Sequence, residues 1–115
     1  MKGELLEVGE LPYTLAMYRV KAGQEDAFVA AWDELAEMFS SLPNPPLWGT
    51  LIRHRTDRTL FYSFGPWRSA EDVAAMRGSA GAGAAFGRLR EMCEELTPGD
   101  YESVRHVEVR GGGPA

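Results

Sequence analysis

The chain has one cysteine, Cys93, and two histidines, His54 and His106, in 115 residues. A single thiol cannot close an internal disulfide, so the fold is expected to hold by packing alone, as suits a reducing cytoplasm. Three such scattered side chains have no metal-ligand spacing, and they form no Ser/His/Asp or Cys/His arrangement. Basic residues are in deficit, with 12 Lys and Arg against 17 Asp and Glu and a net charge of −5. That balance attracts neither a nucleic-acid backbone nor an anionic membrane surface. Long apolar runs are missing too, since none approaches the ~20 residues that span a bilayer. The N-terminal Met1-Lys2-Gly3-Glu4-Leu5-Leu6-Glu7 is acidic and lacks the apolar core of a signal peptide. The expectation is a soluble cytoplasmic protein, with no nucleic acid and no membrane among its partners.

What is present has the length of one domain with a single core. Residues 1–12 read as a polar leader, 13–110 as the domain, and 111–115 (Gly-Gly-Gly-Pro-Ala) as a disordered tail. Tyr13 to Val20 is a strand with apolar residues on both faces, Tyr13, Leu15 and Met17 against Ala16, Tyr18 and Val20. Lys21-Ala22-Gly23 breaks it. From Gln24 to Leu42 the spacing of Phe28, Ala31, Trp32, Leu35, Met38, Phe39 and Leu42 predicts an amphipathic helix. Glu25 and Asp26 sit in its first turn, and Pro43-Asn44-Pro45-Pro46 stops it. Leu47 to Arg55 and Leu60 to Trp67 read as antiparallel strands joined by a hairpin-length connection. Ser69 caps a helix that buries Val73 and Met76. After a break at Arg77-Gly78-Ser79-Ala80-Gly81, a second helical piece is predicted from about Ala82 to Leu96. Its stripe is Phe86, Leu89, Met92 or Cys93, and Leu96. Thr97-Pro98-Gly99-Asp100 ends it, and Tyr101 to Arg110 is the last strand.

The order β-α-β-β-α-β predicts an α+β, ferredoxin-like fold, a four-stranded antiparallel sheet with its helices on one face. The first and third strands are then central. Helices cover one face only, yet the first strand is apolar on both faces and the third has Phe61 and Trp67 opposite Leu60, Tyr62 and Phe64. The uncovered face would be a contiguous apolar patch. A soluble monomer rarely exposes such a patch, so a homodimer packed sheet against sheet is expected.

Several stretches together resemble the antibiotic-biosynthesis-monooxygenase domain. Tyr18-Arg19-Val20-Lys21-Ala22-Gly23-Gln24-Glu25-Asp26-Ala27-Phe28 is similar to the family's opening, a strand, a basic-x-Gly turn and an acidic helix start before a buried phenylalanine. Gly49 matches a glycine early in strand two. Phe64-Gly65-Pro66-Trp67-Arg68-Ser69-Ala70-Glu71-Asp72 looks like the family's junction into the second helix. The resemblance spans roughly residues 13 to 110 and implies a dimeric α/β barrel. It further implies oxidation of a small quinol or anthrone-like aromatic by molecular oxygen, with no flavin, haem or metal as cofactor. The alternative within the same fold is a non-catalytic dimer that binds a small ligand or acts as a stress or regulatory accessory.

Such chemistry needs an aromatic cavity with one or two hydrogen-bonding groups that exclude water and stabilise an anion. Trp67 matches the family tryptophan, whose indole N–H would donate to a substrate oxygen; packing of the strand end is the structural alternative. His54, on the strand face of Trp48, Thr50 and Ile52, is the candidate base, although Arg53 and Arg55 beside it also fit a solvated strand end. His106, between Arg105 and Val107, is open to the same two readings. Tyr18, Tyr62, Trp32 and Phe86 are the candidate substrate-binding residues; core tyrosines with a satisfied hydroxyl are commoner, and Trp32 reads as core first and cavity wall second. The chain departs from the family in having no histidine between Trp67 and Leu96. It also has no asparagine in strand one, which argues against the haem-degrading branch. Gly81-Ala82-Gly83-Ala84-Ala85-Phe86-Gly87 imitates a dinucleotide loop, but a helix rather than a strand precedes it. It reads instead as a loose helix-helix junction that permits close packing or a mobile lid.

Overall fold

A computed structural model describes residues 10–109 and 111. The leader expected at 1–12 and the tail at 111–115 fall largely outside those residues. Seven elements follow in order: β1 (Pro12–Val20), α1 (Glu25–Ser40), β2 (Thr50–Arg53), β3 (Leu60–Pro66), α2 (Ala70–Arg77), α3 (Ala80–Glu91) and β4 (Cys93–Glu102). All neighbouring strands pair antiparallel, in the order β2-β3-β1-β4. The two strands apolar on both faces, β1 and β3, are therefore the central pair, as the pattern requires.

Local sequence explains the joints. Gly23 has φ +89, a left-handed conformation that costs a glycine nothing, and it turns the chain from β1 into α1. Its N–H donates to Glu25 Oε1 at 2.9 Å. Ser69 and Ser79 cap α2 and α3, their Oγ atoms accepting from the N–H groups of Asp72 and Ala82 at 3.2 and 3.3 Å. At the β2–β3 connection the Asp57 carboxylate accepts from Arg19 Nη1 and from Thr59 Oγ1, tying the hairpin to β1. Those bonds hold the Asp57 carboxyl down at about 2.

The helix-facing side of the sheet carries Ala16, Tyr18 and Val20 of β1 and Phe61 of β3. They pack on Phe28, Ala31 and Leu35 of α1 and on Ala85 and Leu89 of α3. A second cluster joins Trp67 to Val73 and Met76 of α2 and Ala82 of α3. Phe39 and Phe86 border both clusters. On the other side, Tyr13, Leu15, Met17, Leu60, Tyr62 and Phe64 are only half-buried, and Ile52 is exposed.

The second half of the chain differs from its sequence reading. The last helix ends at Glu91 rather than Leu96, and the last strand runs Cys93–Glu102 rather than Tyr101 to Arg110. Cys93 and Leu96 are buried as expected, but from a strand opposite Val20 and Tyr18. Pro98-Gly99, which looks like a helix stop, lies within β4 opposite Ala16 and Leu15. β4 is an edge strand, where a proline's missing N–H is tolerated. The glycine-rich run is not a loose junction: Gly81, Gly83 and Gly87 lie inside α3. A side chain at Gly81 would reach ordinary contact with the Met38 side chain of α1, at 3.4 Å, so the position faces α1 without requiring glycine. Among the described residues there are three helices, the break expected at 77–81 falling at Gly78 and Ser79 between α2 and α3, while β2 covers only Thr50–Arg53 of the stretch expected at 47–55.

Candidate functional site

A cavity of about 550 Å³ lies between the helices and the sheet, within the range that holds drug-sized molecules. Its origin is a contrast in side-chain size. The floor is laid by small residues at the middle of the sheet, among them Thr14, Ala16, Ser63 and Gly65. The walls are aromatic, from Trp32 and Phe39 of α1, Phe86 of α3, and Trp67 just after β3. Phe39 stands between Trp67 and Phe86, with ring centroids 5.5 and 6.1 Å away. The cavity reaches solvent beside the exposed Leu47, Trp48 and Arg90.

Polar groups inside are few. The Tyr18 hydroxyl and Ser63 Oγ share a hydrogen bond of 2.7 Å across the central strand pair. Burial pushes the Tyr18 hydroxyl up to about 12, although its bond to Ser63 and the nearby Trp32 indole act the other way. Tyr18 is therefore a neutral hydrogen-bonding group throughout the physiological range, not a base. The Trp32 N–H is buried and meets no acceptor in hydrogen-bonding geometry among the described residues, although it lies near the Tyr18 hydroxyl. The Trp67 N–H donates to Thr14 Oγ1 at 2.9 Å.

The structure thus brings Tyr18, Trp32, Trp67 and Phe86 to one cavity. It does not bring the two other predicted residues there. Tyr62 alternates with Phe61 and Ser63, so it projects from the opposite, open face opposite Met17 and Ile52. His54 lies just beyond β2, exposed, with Nδ1 accepting from the backbone N–H groups of Thr56 and Asp57 at 3.1 and 2.8 Å. It shapes the hairpin connection. His106 lies beyond β4, not on it, 3.5 Å from Glu108. Trp67 keeps its place in the wall, but its donor is already engaged with Thr14. The residue that sequence reasoning missed is Ser63. Its signal was available: a small polar residue between Tyr62 and Phe64, on the face of Phe61 and Gly65. Among the described residues no group of three or more His, Cys, Asp or Glu is placed to hold a metal ion, and no helix is long and apolar enough to cross a membrane.

The family model for antibiotic biosynthesis monooxygenase matches residues 13–88, from the start of β1 into α3. The chain belongs to the antibiotic biosynthesis monooxygenase family. Solved structures share this family's fold. SnoaB, a cofactor-independent oxygenase from Streptomyces nogalater, superposes with a TM-score of 0.72 at 16% identity, covering 92% of this chain and 99% of its own. A conserved protein from Methanosarcina mazei Go1 gives 0.74 at 13% identity, over 84% of this chain and 95% of its own. A provisionally assigned family protein from Deinococcus radiodurans gives 0.75 at 12%, over 88% and 100%. At such identities the superpositions speak for the fold alone. No curated protein matches the chain by sequence.

Proposed function

We propose that this member of the family is a cofactor-independent monooxygenase that oxidises a small quinol or anthrone-like aromatic with molecular oxygen. The observation that carries this reading is the Tyr18–Ser63 hydroxyl pair inside an aromatic-walled cavity of about 550 Å³. A planar ring system fits between Trp32, Phe39 and Phe86, and its oxygen accepts from the hydroxyl pair. A donor fixed at the apolar inner end of the cavity favours the phenolate or enolate over its neutral form. The ring C–H proton passes to solvent at the open mouth, and the electron-rich anion left behind is what oxygen attacks: the ring CH2 of an anthrone becomes C=O, one oxygen atom is kept and the other leaves as water, accounting for the two former ring hydrogens. Trp67 contributes the wall, and the hydroxyl pair takes the donor role.

The described lining includes no aspartate, glutamate, histidine or lysine, which favours a second reading, a ligand-binding protein without chemistry. Oxygen uptake with a panel of anthrones and quinols separates the two. The first reading expects substrate-dependent uptake that falls roughly a hundredfold in Tyr18→Phe, the scale of losing one fixed donor to a developing anion. No uptake with any of them would leave only the binding reading. Two further proposals complete the picture. The open sheet face packs against a second copy in a homodimer, and the free, buried Cys93 suits a cytoplasmic location.

A further inference from the structure

We infer that the cavity takes an aromatic ligand bearing a carboxylate, held at the solvent end by Arg90. This rests on the reading of the cavity as a ligand site and not on oxygen chemistry. Only two of the described side chains lining the cavity are charged, Arg77 and Arg90, and both are cationic. The chain as a whole carries 17 acidic residues against 12 basic ones, so its average surface would line a mouth with carboxylates.

The two arginines differ. Arg77, in the last turn of α2, is engaged by Asp100 of β4 through both Nη atoms, so its charge is largely answered. Arg90, in the last turn of α3, has no carboxylate within ion-pair distance among the described residues. Its neighbour Arg88, on the same helix but not lining the cavity, stands 3.5 Å from Glu34. An unpaired guanidinium at the mouth of an apolar, aromatic cavity matches a ligand with a flat body and one anionic end. The planar fork can take both carboxylate oxygens at once. The buried end, at Tyr18 and Trp67, offers only neutral groups, which sets the direction of entry: ring system inward, carboxylate outward. Because Arg90 is exposed, the carboxylate keeps part of its hydration, and the gain is modest.

The test is binding, measured by equilibrium dialysis at low ionic strength with a fluorenone carboxylic acid and its methyl ester. Both probes share one ring system and differ in charge. The acid is expected to bind the wild-type protein roughly three- to tenfold more tightly than the ester, the range between an exposed ion pair and a charged hydrogen bond. Arg90→Gln should remove that preference while leaving ester affinity unchanged, and Arg88→Gln should leave both as in the wild type. The preference should shrink as salt is added. Equal binding of acid and ester to the wild type overturns the inference while the ligand site itself survives. Loss of the preference in Arg88→Gln to the same degree as in Arg90→Gln also overturns it, because a diffuse field would then be responsible. If neither probe binds, the ligand-site reading fails and the inference with it. Oxygen consumption is not read, so a protein without chemistry can still pass.

Discussion

At the residue scale, Tyr18 is fully buried yet bonded through its hydroxyl to Ser63. Its hydroxyl stays neutral up to about pH 12 because burial opposes the tyrosinate. The folded value lies above the ordinary one near 10. The associated stability is therefore fully present below pH 10 and is lost as pH rises through about 12. Tyr18→Phe is expected to remove that alkaline component. At neutral pH it should cost about 1 to 2 kcal/mol in urea unfolding, the range for a hydrogen bond lost with one buried partner left behind. Ultraviolet titration of tyrosinate should show one group in the wild type titrating near pH 12, absent from the variant. The sequence placed Tyr18, Trp32 and Phe86 among candidate ligand-binding residues, and they do share a cavity. It could not separate Tyr62 from Tyr18, since both lie on central strands and only pairing register assigns a face. His54 is exposed beside the hairpin, in keeping with the solvated strand end that Arg53 and Arg55 suggest and not with the base. An imidazole beside a hairpin satisfies local backbone N–H groups, and nothing in the chain's order reveals that engagement.

At the element scale, β3 and its flanks are held by one close approach. A side chain at Gly65 would lie 2.2 Å from the Trp48 carbonyl oxygen, while Leu47 N–H donates to the Pro66 carbonyl at 3.0 Å. Gly65→Ala must push the segment before β2 away from β3. A loss of about 1 to 3 kcal/mol, the usual scale of overpacking, should appear as a lower denaturant midpoint. The Arg19–Asp57 pair, 2.9 Å apart, ties the β2–β3 connection to β1. Asp57 is depressed from 3.8 to about 2 by that bond and by Thr59. Its contribution is present above pH 4 and lost as pH falls toward 2. Asp57→Asn should abolish that part of acid unfolding, while its melting temperature at neutral pH stays close to wild type because both side chains are partly exposed. Element order and the central strand pair were legible because hydrophobic period and turn chemistry agree over the first half of the chain. The second half was not, for two reasons. An edge strand can carry Pro98, so a helix-stop signal stood inside β4. A helix held by the burial of Ala85 and Leu89 against α1 can carry Gly81, so a loop signal stood inside α3.

At the scale of the whole molecule, two surfaces ask for partners. The open face of the sheet presents Leu15, Met17, Tyr62 and Phe64 beside the exposed Ile52 and Trp48. One face of such a sheet is near the ~800 Å² per partner of a specific interface. Light scattering at micromolar concentration should therefore give twice the chain mass, and Phe64→Glu should give the chain mass while the far-ultraviolet circular dichroism stays wild-type. A wild-type monomer would contradict the dimer proposal. The inner surface is the cavity, lined by Trp32 and Trp67. The most direct test of ligand binding there is the 15N-indole spectrum of Trp32, Trp48 and Trp67 during titration with fluorenone. The prediction is that the Trp32 and Trp67 indole resonances, from the cavity walls, move together along one saturable curve. Both staying fixed while amides of the open sheet face shift would contradict it.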